Sequence, residues 1–425
     1  ASYVAANPDF DVNMEFAGSG DSGVYSAMSV DPQTGAAVYT YVNDMLINLN
    51  RVGALDPLSS EDVTWISENN TAGSVSSGKI GDKYYGYPIT DDNGYFMYFN
   101  KDAFVGTSVW DSTKNSLKDG YTFQDLYNAL DERALVSGKD KWANGAVTWA
   151  IGDSWYDSGV FFATGGDYSV TYDNKGAQTS VDCTFGYTQD DNGNRDYTVG
   201  LEAVAAMKNT FMTDGELNKH YYYTDGATTK LNDFITTFAT AADKPLAAAI
   251  CGTWKAKEIT QAWGDDAGAT ILPTLVGRNG DKYQMKTFAG YKLIGVNPLC
   301  SYAAKSDENL DRLHDFAKYL SDYDIQVARY ESTGAGPSNK QALSTNEEII
   351  NDYALQALAA QYAYDGNKGF RIQESVPSNY WTPIQTFGQT LYNDITTGAT
   401  GNFDTESNIK RQLAQLQYDI ISAAQ

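Results

Sequence analysis

The chain has 425 residues, of which 42% are apolar and 13% aromatic, so it can bury enough surface for two or three units of ordinary domain size. Its formal charge of −24 repels phosphate backbones and anionic lipid headgroups, which argues against nucleic acids and membrane surfaces as partners. The acidic residues form no long like-charge block, so we interpret the charge as that of a folded, solvated surface.

Segments with helical periodicity and hairpins with glycine-containing turns both occur along the chain, which predicts an α/β protein. The first half contains a turn before a strand over 83–89, a helix over 123–134 headed by Thr122, a hairpin around 173–176 and a helix over 201–212. The loop DDNGNRD at 190–196 offers oxygen ligands of the calcium type, but its glycine comes too early for an EF-hand. We therefore predict a solvated turn there.

The second half contains a turn at 279–281 before a strand over 282–288, followed by three predicted helices. Ser306 caps the first helix, Thr345 opens a second that runs to about residue 364, and Ser407 opens a third that runs to about residue 422. The apolar residues of these helices recur on one face, so we expect that face to lie against the core.

Cysteine and histidine usage gives little support for redox, metal or triad chemistry. Cys183, Cys251 and Cys300 allow at most one disulfide, and none has CxxC spacing. His220 and His314 lack HExxH or GxSxG surroundings, so we interpret both as ordinary structural or surface residues. We expect no cofactor and no metal, and the chain has no apolar run of membrane-spanning length.

Paired carboxylates keep one enzyme hypothesis open, because a glycosidase needs only two acidic groups flanking a sugar bond. The candidate pairs are Asp91 with Asp92, Asp153 with Asp157, and Asp265 with Asp266. Sequence does not give the separation within a pair, and 54 acidic residues produce such pairs by chance. No pair is therefore marked as catalytic.

Aromatic residues beside polar ones are the better clue to function, because a pyranose ring packs its C–H face on indole or phenol while its hydroxyls need carboxylates or amides. Such combinations occur at Tyr41 with Asp44, at Asp153 with Trp155, at Trp254, and at Tyr380 with Trp381. Each residue alone would be expected to serve packing, and their order along the chain is what favours a sugar site.

At these positions the sequence resembles the maltose-binding-protein-like family of extracellular solute-binding proteins, which deliver sugars to ABC importers. The resembling segments are ND at 43–44 with VGAL at 52–55, YPI at 87–89 with YFNKD at 98–102, ATGG at 163–166, AAAI at 247–250 with GTW at 252–254, LPT at 272–274, FAG at 288–290 and SNYW at 378–381. The resemblance extends along nearly the whole chain, and the second of these segments is its most specific signature.

The resemblance implies a two-lobed α/β fold of the periplasmic-binding-protein type, class II, with a ligand cleft between the lobes. It implies an N-terminal lobe of residues 1–91 and 293–345 and a C-terminal lobe of residues 95–287 and 346–425. Hinge crossings are expected at 89–94, 288–293 and 340–347. Ligand binding between the lobes would favour the closed state, because only that state has both walls in contact with the sugar.

The resemblance also implies the ligand-binding residues. It places Tyr41 and Asp44 in the N-terminal wall and Asp91 or Asp92 at the hinge. The C-terminal wall would contain Asp153, Trp155, Trp254, Tyr380 and Trp381. Two positions depart from the family pattern, because Met45 stands where maltose binders carry an arginine and Thr382 replaces a second aromatic residue.

We expect the ligand to be a malto-oligosaccharide or a related α-glucan fragment and the protein to do no chemistry on it. A xylo- or galacto-type oligosaccharide remains an alternative, as do a glycosidase and a surface adhesin without an importer. The resemblance implies permease subunits as partners, a monomer, and an extracellular lipoprotein or periplasmic location. Residues 1–11 resemble the end of the family's first helix before its second strand, here 12–16, so we expect a longer natural chain with a lipid anchor.

Overall fold

The computed structural model of the chain describes residues 2–7, 23–173, 178–223, 245–364, 370–372, 376 and 378–423. Its α-helices are α1 (Ser2–Ala6), α2 (Val24–Val30), α3 (Leu46–Arg51), α4 (Ser60–Asn69), α5 (Ala72–Ser76), α6 (Lys101–Phe104), α7 (Phe123–Ala134), α8 (Ser154–Ala163), α9 (Thr198–Phe211), α10 (Ala256–Trp263), α11 (Asp307–Leu320), α12 (Tyr323–Thr333), α13 (Lys340–Thr345), α14 (Glu347–Ile350), α15 (Tyr353–Ala363), α16 (Trp381–Thr397) and α17 (Glu406–Ala423).

The strands are β1 (Val38–Val42), β2 (Lys79–Ile80), β3 (Lys83–Tyr84), β4 (Tyr87–Asn93), β5 (Tyr95–Asn100), β6 (Trp110–Asp111), β7 (Ser116–Leu117), β8 (Ala146–Thr148), β9 (Tyr168–Tyr172), β10 (Gln178–Cys183), β11 (Thr188–Gln189), β12 (Arg195–Asp196), β13 (Met212–Thr213), β14 (Glu216–Leu217), β15 (Leu246–Gly252), β16 (Ala267–Thr270), β17 (Thr274–Val276), β18 (Lys282–Gln284), β19 (Thr287–Val296) and β20 (Phe370–Ile372). Two four-stranded sheets organise them, one in each lobe, and the remaining strands form two-stranded hairpins.

The sheet of the C-terminal lobe has the order β16-β5-β15-β8, with β15 antiparallel to β5 and parallel to β8. Every residue of β5 and β15 is buried, as expected for central strands covered on both faces. Helices α7, α8, α9, α16 and α17 contribute to the same apolar core, which includes Tyr156, Leu391 and Leu413. This large core supports most of the predicted binding residues.

The sheet of the N-terminal lobe is built around β19, whose outer half pairs antiparallel with both β1 and β4. Alternate residues of β19 point to opposite faces, as strand geometry requires. Tyr291 and Leu293 pack with α2 and α3 on one face, while Ile294 and Val296 pack with α4, α5 and α11 on the other. The sheet is therefore covered by helices on both sides.

The chain passes from one lobe to the other in two extended segments, β4 to β5 and β19, which pair side by side at Asn93 and Gly290. Along the first, Ile89 of β4 lies in the N-terminal core and Tyr95 of β5 in the C-terminal core, with Gly94 between the strands. Along the second, Phe288 of β19 belongs to the C-terminal core and the adjacent Ala289 to the N-terminal core. We call these two places the strand crossings; the residue boundaries proposed above for the lobes stay a prediction.

Local capping signals predicted the best-defined helices. Thr122 accepts a hydrogen bond from Asp125 N and the Asp125 side chain returns one, which forms a complete capping box at the start of α7. The Ser306 side chain accepts from Asn309 N and begins α11, as predicted. The predicted turn at 190–196 is also confirmed, as the exposed Asp190 accepts hydrogen bonds within a hairpin between β11 and β12.

Three predicted elements differ in extent. Thr345 is the last residue of α13, and the single helix expected from it is instead α14 and α15, because Asn346 and Asp352 each cap the backbone amides that follow and so start new helices. The last helix is capped by Thr405, whose hydroxyl accepts from Asn408 N, so it begins before Ser407. The strand expected over 83–89 is divided into β3 and β4.

Two other predictions fall on the edge of the described residues. Strands β9 and β10 pair antiparallel, with Tyr172 opposite Gln178, so the predicted hairpin is confirmed while its turn at 174–177 lies outside the described residues. Helix α1 occupies the segment predicted to be helical at the start of the chain, and the strand predicted at 12–16 lies outside the described residues. Within the described ranges, no helix has both the length and the apolar character needed to cross a membrane.

Candidate functional site

The carboxylate of Asp92 connects three segments at the first strand crossing. Its Oδ2 accepts a hydrogen bond from the backbone amide of Gly336 (2.7 Å) and from the hydroxyl of Thr253 (3.1 Å). Gly336 lies in the segment after α12, and Thr253 begins the turn that follows β15. Only 6% of Asp92 is exposed, so its carboxylate is engaged mainly with the protein itself.

Asp91, the preceding residue, faces a different partner. Its Oδ2 accepts a hydrogen bond from the Thr71 hydroxyl (2.7 Å), and its amide donates to the carbonyl of Gly336 (3.2 Å). Burial raises the pKa of Asp91 to about 6, the hydrogen bond from Thr71 lowers it in part, and the charge of Asp92 adds to the rise. The crossing therefore contains two neighbouring carboxyl groups with separate protein partners.

Trp254 lies beside this crossing in the 3-10 turn Thr253–Lys255. Its half-buried indole fills the space next to Gly252, where an added β-carbon would lie 2.0 Å from the ring atom Cζ3. That same β-carbon would lie 2.5 Å from the carbonyl oxygen of Gly94, between β4 and β5. The hydroxyl of Tyr98 in β5 also donates a hydrogen bond to the carbonyl of Gly252 (3.0 Å), which fixes the end of β15.

Trp155 and Trp381 come together at the second strand crossing. Trp155, in the first turn of α8, stacks on Phe288 of β19 with ring centroids 4.8 Å apart and an interplanar angle of 23°. Trp381, the first residue of α16, approaches the same Phe288 edge-on at 5.5 Å and lies 5.8 Å from Trp155. Both tryptophans are half-buried, and the buried indole Nε1 of Trp155 has no hydrogen-bond partner in the described part of the chain.

Asp153 and Asp157 have mainly structural environments. The Asp153 side chain caps α8 by accepting from Trp155 N (3.0 Å), which fixes the start of the helix that presents this tryptophan. Asp157 is fully buried, and its Oδ2 accepts from Gly152 N (2.9 Å). Burial, followed by the nearby charge of Asp153, raises the pKa of Asp157 well above its ordinary value and so favours its neutral form.

Two of the predicted contact residues are fully buried, which differs from the expectation that they line the cleft. Tyr41 lies in the core of the N-terminal lobe, and its hydroxyl donates to the carbonyl of Tyr85. Tyr380 lies in the core of the C-terminal lobe, where its hydroxyl donates to the Ser158 hydroxyl (3.0 Å) and its ring packs edge-on against Trp381 (4.9 Å). Both tyrosines support their neighbours and expose no ring face.

Asp44 lies on the N-terminal side in the short 3-10 turn Asn43–Met45 after β1. The adjacent Asn43 is fully buried, and its side-chain oxygen accepts a hydrogen bond from Tyr291 N (2.8 Å) in β19. This contact holds the half-buried Asp44 close to the second crossing strand. Met45 is also half-buried and packs against the apolar cluster beneath the turn.

The histidines and cysteines occupy structural positions. His220 contacts the Gly145 carbonyl oxygen and Asp131, both at 3.1 Å, and His314 contacts Tyr87 and Asp56, both at 3.0 Å. Cys183, Cys251 and Cys300 are buried free thiols. Among the residues that the structure describes, no group of three or more His, Cys, Asp or Glu side chains is arranged to hold a metal ion.

Sequence reasoning did not identify Phe288, Thr253 or Gly336 as parts of this site. In the sequence, Phe288 belongs to the FAG segment and to the predicted strand over 282–288, but its contacts with two tryptophans depend on segments more than 90 residues away on each side. Gly336 had no distinguishing neighbour in sequence. A surface cavity of about 450 Å³ between α7, α9 and β17 contains none of the predicted binding residues.

A family model described as a bacterial extracellular solute-binding protein matches residues 1–357. A solved structure determined with acarbose has a TM-score of 0.70 at 23% identity, covering 100% of this chain and 93% of its own. The maltodextrin-binding protein MalE1 from L. casei BL23, solved without ligand, has a TM-score of 0.68 at 19% identity, covering 99% and 93%.

The Thermus thermophilus maltotriose-binding protein, solved with maltotriose, has a TM-score of 0.65 at 14% identity, covering 100% of this chain and 95% of its own. None of the curated protein sequences matches this chain. The structural likenesses confirm the predicted two-lobed α/β fold. Since the family model extends over most of its length, the chain belongs to the bacterial extracellular solute-binding proteins.

Proposed function

We propose that the protein captures a malto-oligosaccharide or a related α-glucan fragment outside the cell and delivers it to an ABC importer. The observation that supports this most is the position of three half-buried tryptophans at the two strand crossings: Trp254 at the first, Trp155 and Trp381 at the second. Similar proteins solved with acarbose, with maltotriose, or named as maltodextrin-binding make α-glucans the ligand class to test first.

The chemistry of these side chains suits a neutral sugar. Indole faces offer apolar surface to the C–H face of a pyranose ring, and each stacked aromatic contributes about 0.5–1.5 kcal/mol beyond the area that it buries. Asp44 and Asp153 are the carboxylates proposed to accept hydrogen bonds from sugar hydroxyls. Asp91 and Asp92 are proposed to lie at the hinge. A ligand that contacts both lobes stabilises the closed state, which the importer would then recognise.

We further propose that the protein does no chemistry on the sugar. In the pair Asp153 and Asp157, the second carboxyl is fully buried and hydrogen-bonded to a backbone amide. Asp92 is 6% exposed, which leaves little of the first-crossing pair accessible. Asp265 and Asp266 are consecutive residues of an exposed 3-10 turn, and consecutive helical residues do not face one another across a substrate.

A calorimetric panel tests the ligand class. We expect maltotriose, maltotetraose and acarbose to give saturable binding heats, while xylotetraose and a β-galactotetraose give none. Binding of only the xylo- or galacto-type chain would replace the α-glucan proposal with that alternative. Absence of binding to every member would overturn the proposed function.

A second assay addresses catalysis. Incubation of purified protein with maltoheptaose for a day should release no reducing ends. Release that persists in the wild type and disappears in Asp153→Asn would instead support the glycosidase alternative. The lipid anchor and the monomeric state stay predictions from the family resemblance.

A further inference from the structure

We propose that Asp92 is a positioning residue that orients the indole of Trp254 through the hydroxyl of Thr253. This inference rests on the proposed function, because it assigns to Asp92 the support of a sugar-stacking ring in place of a contact with the sugar itself. It begins from a geometric fact: the one carboxylate at the first crossing that reaches the C-terminal lobe bonds to the residue immediately before Trp254.

The Thr253 hydroxyl is fixed by two acceptors of the same residue. It lies 3.1 Å from Asp92 Oδ2 and 3.3 Å from the main-chain oxygen of Asp92, and Thr253 is only 3% exposed. A buried hydroxyl that loses its acceptors carries an unfavourable desolvation cost, so this hydrogen bond strongly selects one orientation of the turn. The first residue of the 3-10 turn is thereby bound to the crossing strand.

The carboxylate itself is held by a second, independent contact. Gly336 N donates to the same Oδ2 at 2.7 Å, and a β-carbon on Gly336 would lie 2.8 Å from Cβ of Asp92. The segment after α12 therefore packs directly on Asp92 and covers it. This contact leaves Asp92 little freedom to rotate toward a ligand, which favours a supporting role.

Once the turn is fixed, the Trp254 ring lies in a narrow space beside Gly252. Its atoms occupy the place that a Gly252 side chain would fill, close to the carbonyl of Gly94 at the same crossing. Asp92 and Gly94 are two residues apart, and Gly94 N donates to the Asp92 carbonyl (2.9 Å). One short stretch of the crossing strand thus bonds to the first residue of the turn and closely approaches Gly252, beside which the ring lies.

The test removes the Thr253 hydroxyl without changing the size of the side chain. Thr253→Val lacks the donor, Thr253→Ser keeps it, and Thr253→Ala serves as a second donor-free variant should valine disturb folding. Thr71→Val is the matched control, since it removes the equivalent hydroxyl bond to the neighbouring Asp91. Each full-length protein is labelled with 5-fluorotryptophan, and the ¹⁹F line of Trp254 among the eight tryptophans is assigned with Trp254→Phe.

We expect the Trp254 line to shift or broaden in Thr253→Val and Thr253→Ala, while Thr253→Ser and Thr71→Val keep it at the wild-type position. Calorimetry with maltotriose should show affinity reduced roughly tenfold in the two donor-free variants and restored by serine. An unchanged Trp254 line in both donor-free variants would overturn the positioning role. The ¹⁹F result is independent of ligand, so a wild type that binds no maltotriose would refute the proposed function while the line of Trp254 still decides this inference.

Discussion

Trp254 and the pair formed by Trp155 and Trp381 are held in place by different kinds of contact. Trp254 lies in a turn whose first residue, Thr253, is hydrogen-bonded to the first crossing strand, and its ring occupies the space beside a glycine. The other two tryptophans rest on the ring of Phe288 in the second crossing strand. Hydrogen bonds have strict geometry, whereas aromatic packing allows several arrangements, so we expect the first crossing to fix one ring and the second to adapt to the ligand.

The largest expected effect comes from removing the shared support at the second crossing. Phe288 is 1% exposed, so Phe288→Ala should leave a cavity under both tryptophans and cost about 3–5 kcal/mol of unfolding free energy. Urea unfolding monitored by circular dichroism measures this loss. Phe288→Leu is the control and should cost less than about 1.5 kcal/mol. Equal stability of wild type and Phe288→Ala would contradict the role given to this ring.

Asp91 provides a pH test of the first crossing. Its pKa is raised from 3.8 to about 6, so between these values the folded state holds a proton that the unfolded chain has lost. The stability contributed by this group is therefore fully present below pH 3.8 and is lost as the pH rises through about 6. At pH 8 the Asp91→Asn variant should be more stable than wild type by up to about 3 kcal/mol.

The measurement for Asp91 is a series of unfolding curves of wild type and Asp91→Asn from pH 4 to pH 8. The difference should be small at pH 4 and grow toward pH 8. Asp265→Asn, at an exposed turn, is the control and should change stability by less than about 0.5 kcal/mol at any pH. A difference that stays constant over the whole range would show that Asp91 does not titrate as described.

A substitution at Gly252 tests whether the position of the Trp254 ring requires a residue without a side chain there. A β-carbon there would meet the indole at 2.0 Å, so Gly252→Ala should cost about 1–3 kcal/mol of stability and displace the ring. The φ of Gly252 is −99°, so backbone strain is not the cause. A double-mutant cycle with Trp254→Ala should give a combined cost below the sum, because the clash with the ring disappears and only the close approach to the Gly94 carbonyl oxygen remains. Strict additivity would mean that ring and glycine do not interact.

The sequence predicted features that depend on local chemistry. The capping box at Thr122 and the N-cap at Ser306 involve residues three positions apart, so they could be recognised without knowing the fold. The same locality explains a wrong prediction, because the apolar pattern predicts one helix whereas Asn346 and Asp352 each cap the amides that follow and start new helices. The correct and the wrong helix predictions both depend on side chains that hydrogen-bond to backbone amides a few residues along the chain.

The candidate site was predicted only in part, because its residues meet through long-range contacts. Tyr41 was expected in a wall, but the alternation along β1 turns it into the core, and one strand alone does not reveal which face is covered. The roles of Thr253 and Gly336 required the spatial meeting of β4 with two distant segments. The tryptophans were proposed from their order along the chain and its resemblance to the family, because each aromatic residue alone would be expected to serve packing.

The tryptophans at both crossings are proposed to bind an α-glucan. Isothermal titration with maltotriose should show affinity reduced about tenfold or more in Trp254→Ala and in Trp381→Ala, with thermal unfolding little changed. Trp65→Ala is the matched control, since Trp65 is half-buried beside Lys318 in the N-terminal lobe and should leave affinity unchanged. Wild-type affinity in both Trp254→Ala and Trp381→Ala would contradict the proposed site.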